Sequence, residues 1–246
     1  MNLGLENKTV VITGASGGIG GAIAQGFYDE GANLFLTDMS EKVNEVAQVY
    51  GDKAQSLVAD ITNEEDRKKL LSATLEAFGT VDVLINCAGV SRGGHYDKVS
   101  EEDWSFVMGV NQDAVFHLSR IFLPEIEKTK GAVVNLASFA SKRPTLFGDN
   151  ATYTTSKHAV AGITKALAFE VAPIGVNVNA VAPGPVATEM IKQHSEEARK
   201  RITDMVPANR MADPTEIADL VVFLSSDRAS YINGEIVNIN GGLYMD

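Results

Sequence analysis

Short runs of β-branched and aliphatic residues recur along the chain, each followed by a longer stretch with helical character. The runs fall at 9–12, 33–37, 54–58, 81–85, 131–136, 176–181 and 235–239. Seven strands separated by helices imply parallel βαβ units and an α/β fold, with a ligand site outside the carboxyl ends of the strands. Polar motifs sort to that end. Asp60 follows the third run, Asn86 to Gly89 the fourth, Ser138 the fifth, and Pro183 with Gly184 the sixth.

Composition narrows the picture. A chain of 246 residues that is 45% hydrophobic can bury a large core, and no linker, repeat or low-complexity tract divides it, so residues 1–246 read as one domain. The amino end lacks the basic start and apolar run of a signal peptide, and no stretch approaches a membrane span, which predicts a soluble cytoplasmic protein. A net charge of −11 with no basic block argues against nucleic acid. The one cysteine, Cys87, cannot form an internal disulfide and reads as a buried structural thiol. His95, His117, His158 and His194 show no paired metal-ligand spacing, so no metal is expected.

Two constellations carry chemistry. After the first run comes Thr13-Gly-Ala-Ser-Gly-Gly-Ile-Gly20, followed by a helical pattern. Strand, glycine turn and helix is the setting in which backbone N–H groups face a pyrophosphate. Gly14 permits the tight turn, Gly18 close approach of a cofactor, and Gly20 packing of helix on strand. Asp38 closes the second run, where a carboxylate can accept bonds from adenosine ribose hydroxyls. The second constellation is Tyr153 and Lys157, one helical turn apart and on one face. A tyrosine titrates near ~10, and an adjacent ammonium favours its phenolate.

Taken in order, Thr13 to Gly20, Asp60-Ile61, Asn86-Cys-Ala-Gly89, Asn111, Ser138, Tyr153-x-x-x-Lys157 and Pro183-Gly-Pro-Val-Ala-Thr188 resemble the short-chain dehydrogenase/reductase family over essentially the whole length. The similar branch holds 3-ketoacyl-carrier-protein reductases and sugar, polyol and steroid dehydrogenases. Two departures stand out: cysteine at 87 where asparagine is usual, and about two extra residues between Ser138 and Tyr153, which leave the wall at 139–150 without a template.

The resemblance implies a three-layer doubly wound Rossmann fold with a seven-stranded parallel sheet. It implies Tyr153 as general acid/base, Lys157 lowering the tyrosine pKa and holding the nicotinamide ribose, Ser138 bonding the substrate oxygen, and Asn111 anchoring a water that passes protons from Lys157. Cofactor contacts carry over to Gly14, Ser16, Gly18, Ile19, Gly20, Asp38, Asp60, Ile61, Asn86, Ala88, Gly89, Tyr153, Lys157, Pro183, Gly184, Val186 and Thr188. Asp38, together with glycine at 17 where NADPH users often carry arginine, points to NAD. The charged segment 190–202 falls in an expected substrate lid at 186–213, with Met190 and His194 as pocket candidates. Arg92, His95 and Arg143 are expected to be solvated loop charges near the rim. His158 turns away from the Tyr153 face.

Three functions follow: an NAD-dependent dehydrogenase of a small secondary alcohol, polyol or sugar; a 3-ketoacyl-carrier-protein reductase; or a non-catalytic NAD-binding protein. Acidity that would repel an acidic carrier favours the first. The resemblance also implies a homotetramer packed through helices near 102–128 and 153–172.

Overall fold

The computed structural model describes residues 2–145, 150–192 and 195–246, with positions 190 and 192 described for the backbone only. Seven strands, β1 Thr9–Thr13, β2 Asn33–Asp38, β3 Ala54–Val58, β4 Val83–Asn86, β5 Ala132–Leu136, β6 Asn177–Pro183 and β7 Ile236–Ile239, form one sheet in the order β3-β2-β1-β4-β5-β6-β7. Every pairing is parallel. The order reverses between β1 and β4, the topological switch point at which a doubly wound Rossmann sheet opens a crevice.

The helices are α1 Gly18–Asp29, α2 Lys42–Gln48, α3 Glu64–Phe78, α4 Glu101–Met108, α5 Ala114–Thr129, α6 Ala151–Val171, α7 Glu189–Lys192, α8 Glu196–Asp204 and α9 Pro214–Leu224. Alternation along the strands assigns them to two layers. Val10 and Ile12 of β1 face Ile23 and Phe27 of α1, Val43 of α2 and Val221 of α9. Val11, between them, faces Leu70 of α3, Phe122 of α5 and Ala168 of α6. Central strands are therefore apolar on both faces, and a sheet lies between two helical layers.

Local chemistry sets the helix ends. Asn63 caps α3 by accepting from the Glu65 and Asp66 N–H groups, and Gly79 ends it in a left-handed conformation. Asp213 and Glu216 make a reciprocal capping box at α9, with Pro214 in the first turn.

Most strand ends shift by a residue or two from the sequence reading, and two differences bear on the rim. The sixth strand runs on through Pro183, which lies opposite Ile239. The stretch 102–128 is not one α-helix, because a π-helical turn at Gly109–Asp113 separates α4 from α5.

A chain of buried amides and hydroxyls crosses the second layer. Asn86 donates to Ser119 Oγ (3.2 Å) and to Asn135 Oδ1 (2.8 Å), and Asn135 donates to Thr164 Oγ1 (2.9 Å). It ties α5, β4, β5 and α6 together just below the rim.

Candidate active site

At the end of β1 the chain turns through Gly14, whose φ of 69° is costly for any residue with a Cβ. A Cβ on Gly14 would fall 2.8 Å from Ala88 Cα, and one on Gly20 only 2.2 Å from Gly14 O. Both glycines are demanded by backbone packing. Gly18 differs, since its Cβ would meet the Thr188 side chain at 3.1 Å. Gly17 caps α1 without a side-chain acceptor, so no capping group competes for the N–H groups of the first turn. That cradle fits a diphosphate.

The neighbouring turns are bound to it. Thr13 Oγ1 accepts the N–H groups of Cys87 and Ala88, both at 3.1 Å. Asp38, at the end of β2, accepts Ser16 N–H through Oδ2 (3.2 Å) and Ser40 N–H through Oδ1 (3.0 Å), which fixes the carboxylate beside the glycine turn. Asp60 accepts from the N–H and the hydroxyl of Thr62 at 2.9 and 2.7 Å, with Ile61 buried behind it. The Asn86 side chain points into the amide chain below the sheet rim, leaving only its backbone for a cofactor. Gly184 is pressed against Asn240, Val186 makes a bridge to Ala212, and Thr188 N–H closes on Val186 O.

Across the switch point stand the proton-transfer groups. Ser138 begins a 3-10 turn, Phe139–Ser141, at the end of β5; its hydroxyl accepts Ala140 N–H at 3.1 Å and lies near enough to Tyr153 to act on the phenol. Burial raises the Tyr153 pKa, while the Ser138 hydroxyl pulls it back. Lys157, one turn on along α6, is 4% exposed. Its ammonium donates to Leu136 O at 2.7 Å and lies 5.7 Å from the Tyr153 ring centre. Burial depresses its pKa to about 8.

This corrects the expected lowering of the tyrosine by the lysine. The ammonium is aimed at a strand-end carbonyl, and desolvation of the phenol dominates. With one protein acceptor for three donors, a buried lysine ammonium retains N–H groups suited to ribose hydroxyls.

Asn111 occupies the π-helical turn and is fully buried. Its Oδ1 accepts Val90 N–H (2.8 Å), and its Nδ2 donates to Val90 O (2.8 Å) and Ser156 Oγ (3.0 Å). Ser156 in turn donates to Tyr153 O at 2.8 Å. The side chain therefore locks the loop after β4 to the reactive turn of α6. Gly89 makes room for both groups, since a Cβ there would lie 3.3 Å from Lys157 Nζ and 3.5 Å from Asn111 Oδ1. Thr13 and Ser156 are positioning residues that sequence reasoning passed over, Thr13 although it opens the glycine motif.

The remaining candidates separate. Arg92 is paired with Asp103 at 3.0 Å and lies over the Phe106 ring, His95 is bonded to Asp97, and Arg143 is exposed. His158 is exposed, its ring nitrogen 2.9 Å from Thr154 O. Cys87 is partly enclosed, and burial pushes its thiol up to about 12, so it is no nucleophile. His194 and the Met190 side chain lie outside the described residues. Among the described residues, no group of three or more His, Cys, Asp or Glu side chains is placed to hold a metal.

With a phosphate cradle on one side of the switch point and a proton-transfer set on the other, the rim is built for hydride exchange between a dinucleotide and a bound carbonyl or alcohol. Known proteins agree. A family model described as Enoyl-(Acyl carrier protein) reductase matches residues 14–244. The 3-oxoacyl-[acyl-carrier-protein] reductase of Vibrio cholerae is 39% identical over 245 residues, 99% of this chain and all of that protein. The protein of the same name from Haemophilus influenzae is 37% identical, covering 98% of this chain and all of its own length.

A crystal structure of 3-ketoacyl-(acyl-carrier-protein) reductase from Brucella melitensis complexed with NADH matches with a TM-score of 0.92 at 31% identity, covering 98% of this chain and 100% of that one. A short-chain dehydrogenase/reductase from the same organism, described as glucose/ribitol dehydrogenase, matches at 0.90 with 36% identity over the whole of both chains. The chain belongs to the short-chain dehydrogenase/reductase family. It is an oxidoreductase of CH–OH and keto groups that uses a nicotinamide dinucleotide.

Proposed function

We propose that the chain is an NAD(H)-dependent reductase of 3-oxoacyl thioesters, interconverting the 3-keto and 3-hydroxy compounds. The 3-oxoacyl-[acyl-carrier-protein] reductases matched along their full length support this reading over the polyol or sugar dehydrogenase preferred from the sequence. The observation that carries it is Tyr153 set beside Ser138 at the carboxyl ends of the strands, a half-buried phenol that desolvation keeps protonated at pH 7, as a proton donor to a carbonyl must be. Asp38 supports NAD(H), since a 2′-phosphate would sit beside a carboxylate already fixed by two backbone bonds.

The bound nicotinamide supplies or accepts hydride. Tyr153 donates the proton to the substrate oxygen during reduction and removes it during oxidation. Ser138 holds that oxygen. Lys157, protonated below about 8, holds the nicotinamide ribose through the N–H groups that Leu136 O leaves available. Gly14, Gly18, Ile19 and Gly20 cradle the diphosphate, and Pro183, Gly184, Val186 and Thr188 line the nicotinamide end. Residues 1–246 act as one catalytic domain with a lid at 186–213, working in the cytoplasm as a homotetramer.

A second reading, oxidation of a small carrier-free secondary alcohol, is favoured by the net charge of −11, which would repel an acidic carrier. Steady-state rates with NADH and NADPH on acetoacetyl thioesters, free and carrier-linked, beside NAD-linked oxidation of polyols and sugars, separate the readings. Reduction of the thioester with NADH is expected. Polyol oxidation without thioester reduction would overturn the proposal.

A further inference from the structure

The segment after β7 touches three parts of the rim. Gly184, just past β6, donates its N–H to Ile239 O at 3.0 Å, and a Cβ on it would fall 2.9 Å from Asn240 Cα. Gly241 O accepts Ala208 N–H at 3.0 Å, and Cβ atoms on Gly241 and Gly242 would meet Val206 at 2.7 Å and Pro207 at 3.3 Å. The segment therefore lies against both the nicotinamide turn and the chain that follows α8.

Its last contact is with the turn that carries Ser138. Asp246 Oδ2 accepts Lys142 Nζ at 2.5 Å, and Asp246 Oδ1 accepts Asn238 Nδ2 at 3.0 Å, so one carboxylate bridges β7 and the β5 turn. Lys142 Nζ also lies 5.8 Å from the Tyr244 ring centre. The Lys142 side chain is only 19% exposed, so its ammonium gains from a fixed partner. Lys142 N–H bonds Phe139 O, and Ser138 O accepts both the N–H and the hydroxyl of Ser141, at 2.8 and 2.6 Å. What holds Lys142 therefore holds the turn whose first residue is Ser138.

We propose that the Lys142–Asp246 pair positions Ser138: the segment 240–246, seated on the nicotinamide turn and on the end of the lid, clamps the β5 turn and keeps the Ser138 hydroxyl directed at Tyr153 and the reacting oxygen. The inference rests on the reading of Ser138 as the group that holds that oxygen. Lys142 and Asp246 act through Ser138 and touch no substrate.

The test compares Asp246→Asn and Lys142→Met with Asp246→Glu, Lys142→Arg and the exchanged pair Lys142→Asp with Asp246→Lys. Readouts are kcat and KM for acetoacetyl thioester reduction, NADH affinity by fluorescence titration, and hydrogen exchange across 138–142. The disruptive variants are expected to lose three- to tenfold in kcat, to hold NADH within twofold, and to exchange faster across 138–142. The conservative and exchanged variants are expected to recover most of the rate. Asp246→Asn is expected to add little in a Ser138→Ala background.

An equal loss in that background, or a proportional loss of NADH affinity, would overturn the assignment. Unchanged exchange in Asp246→Asn would show that the clamp itself is wrong. Full activity of Ser138→Ala alone would instead locate the failure in the underlying reading of the site.

Discussion

Lys157 is a charge kept where folding disfavours it, and removing it tests the electrostatics of the site directly. Its ammonium is 4% exposed, and burial brings its pKa from the ordinary 10.5 down to about 8. A drop of that size corresponds to roughly 3 kcal/mol of folding free energy at neutral pH. The sign follows from proton binding. Below pH 8 both states carry the proton and the cost is fully present. Between 8 and 10.5 the unfolded chain holds a proton that the folded site has lost, so this group makes stability rise with pH.

Cys87 opposes it, because its folded thiol keeps its proton to about 12 while the unfolded thiol ionises near 9.0, so its contribution falls above pH 9. The net rise is therefore confined to pH 8–9. In Lys157→Met the lysine cost disappears, while Leu136 O loses a donor at about 1–3 kcal/mol. The mutant, inactive as an enzyme, should be more stable than wild type at pH 7 by about 1 kcal/mol, with the gap narrowing above pH 8. Urea unfolding of both proteins at pH 7, 8 and 9, read by circular dichroism at matched m values, measures it. A gap that stays constant from pH 7 to 9 would show that Lys157 carries no buried charge.

Tyr153→Phe should cut turnover by at least about a hundredfold, the usual worth of a positioned acid, while NADH affinity by fluorescence titration stays nearly intact; substantial activity would remove Tyr153 from its role. A carboxylate about 4 Å from a 2′-phosphate costs on the order of 4 kcal/mol per unit charge at an effective dielectric near 20, so NADH should beat NADPH by at least about a hundredfold in kcat/KM. Asp38→Ser with Gly17→Arg should narrow that preference, and equal use of NADPH by wild type would contradict the argument. Gly20→Ala places a Cβ 2.2 Å from Gly14 O and 2.9 Å from Ala15 Cα. Because both are backbone atoms, stability should drop by about 1–3 kcal/mol and NADH binding should weaken, and an unaltered Tm and Kd would refute the packing account.

Strands were the most readable part of the sequence because the central ones are covered on both faces and contain continuous apolar runs. The glycine turn and the Tyr153–Lys157 pair were readable because their parts are neighbours in the chain. What Asn111 does was not, since its partners Val90 and Ser156 lie 21 and 45 positions away. The pKa directions were missed for the same kind of reason. Four-residue spacing puts Lys157 beside Tyr153, but the heading of its ammonium depends on Leu136, and the desolvation of the phenol on the packed rim around it. The Lys142–Asp246 pair joins positions 104 apart, which no local pattern signals.

The π-helical turn at Gly109–Asp113 has a consequence for how this chain can change its length. A π turn is equivalent to one residue inserted into an α-helix, so α4 and α5 form a rod whose halves are out of phase by about 100°. Phe122 and Ile126 face the sheet, and Asn111 faces the loop after β4, only because of that offset. Losing one residue here would restore a straight helix and rotate one half against its partners, whereas a surface loop could absorb the same deletion locally. The stretch between the Ser100 cap and the end of α5 is thus counted to the residue, a phase setting carried by chain length rather than by any one side chain.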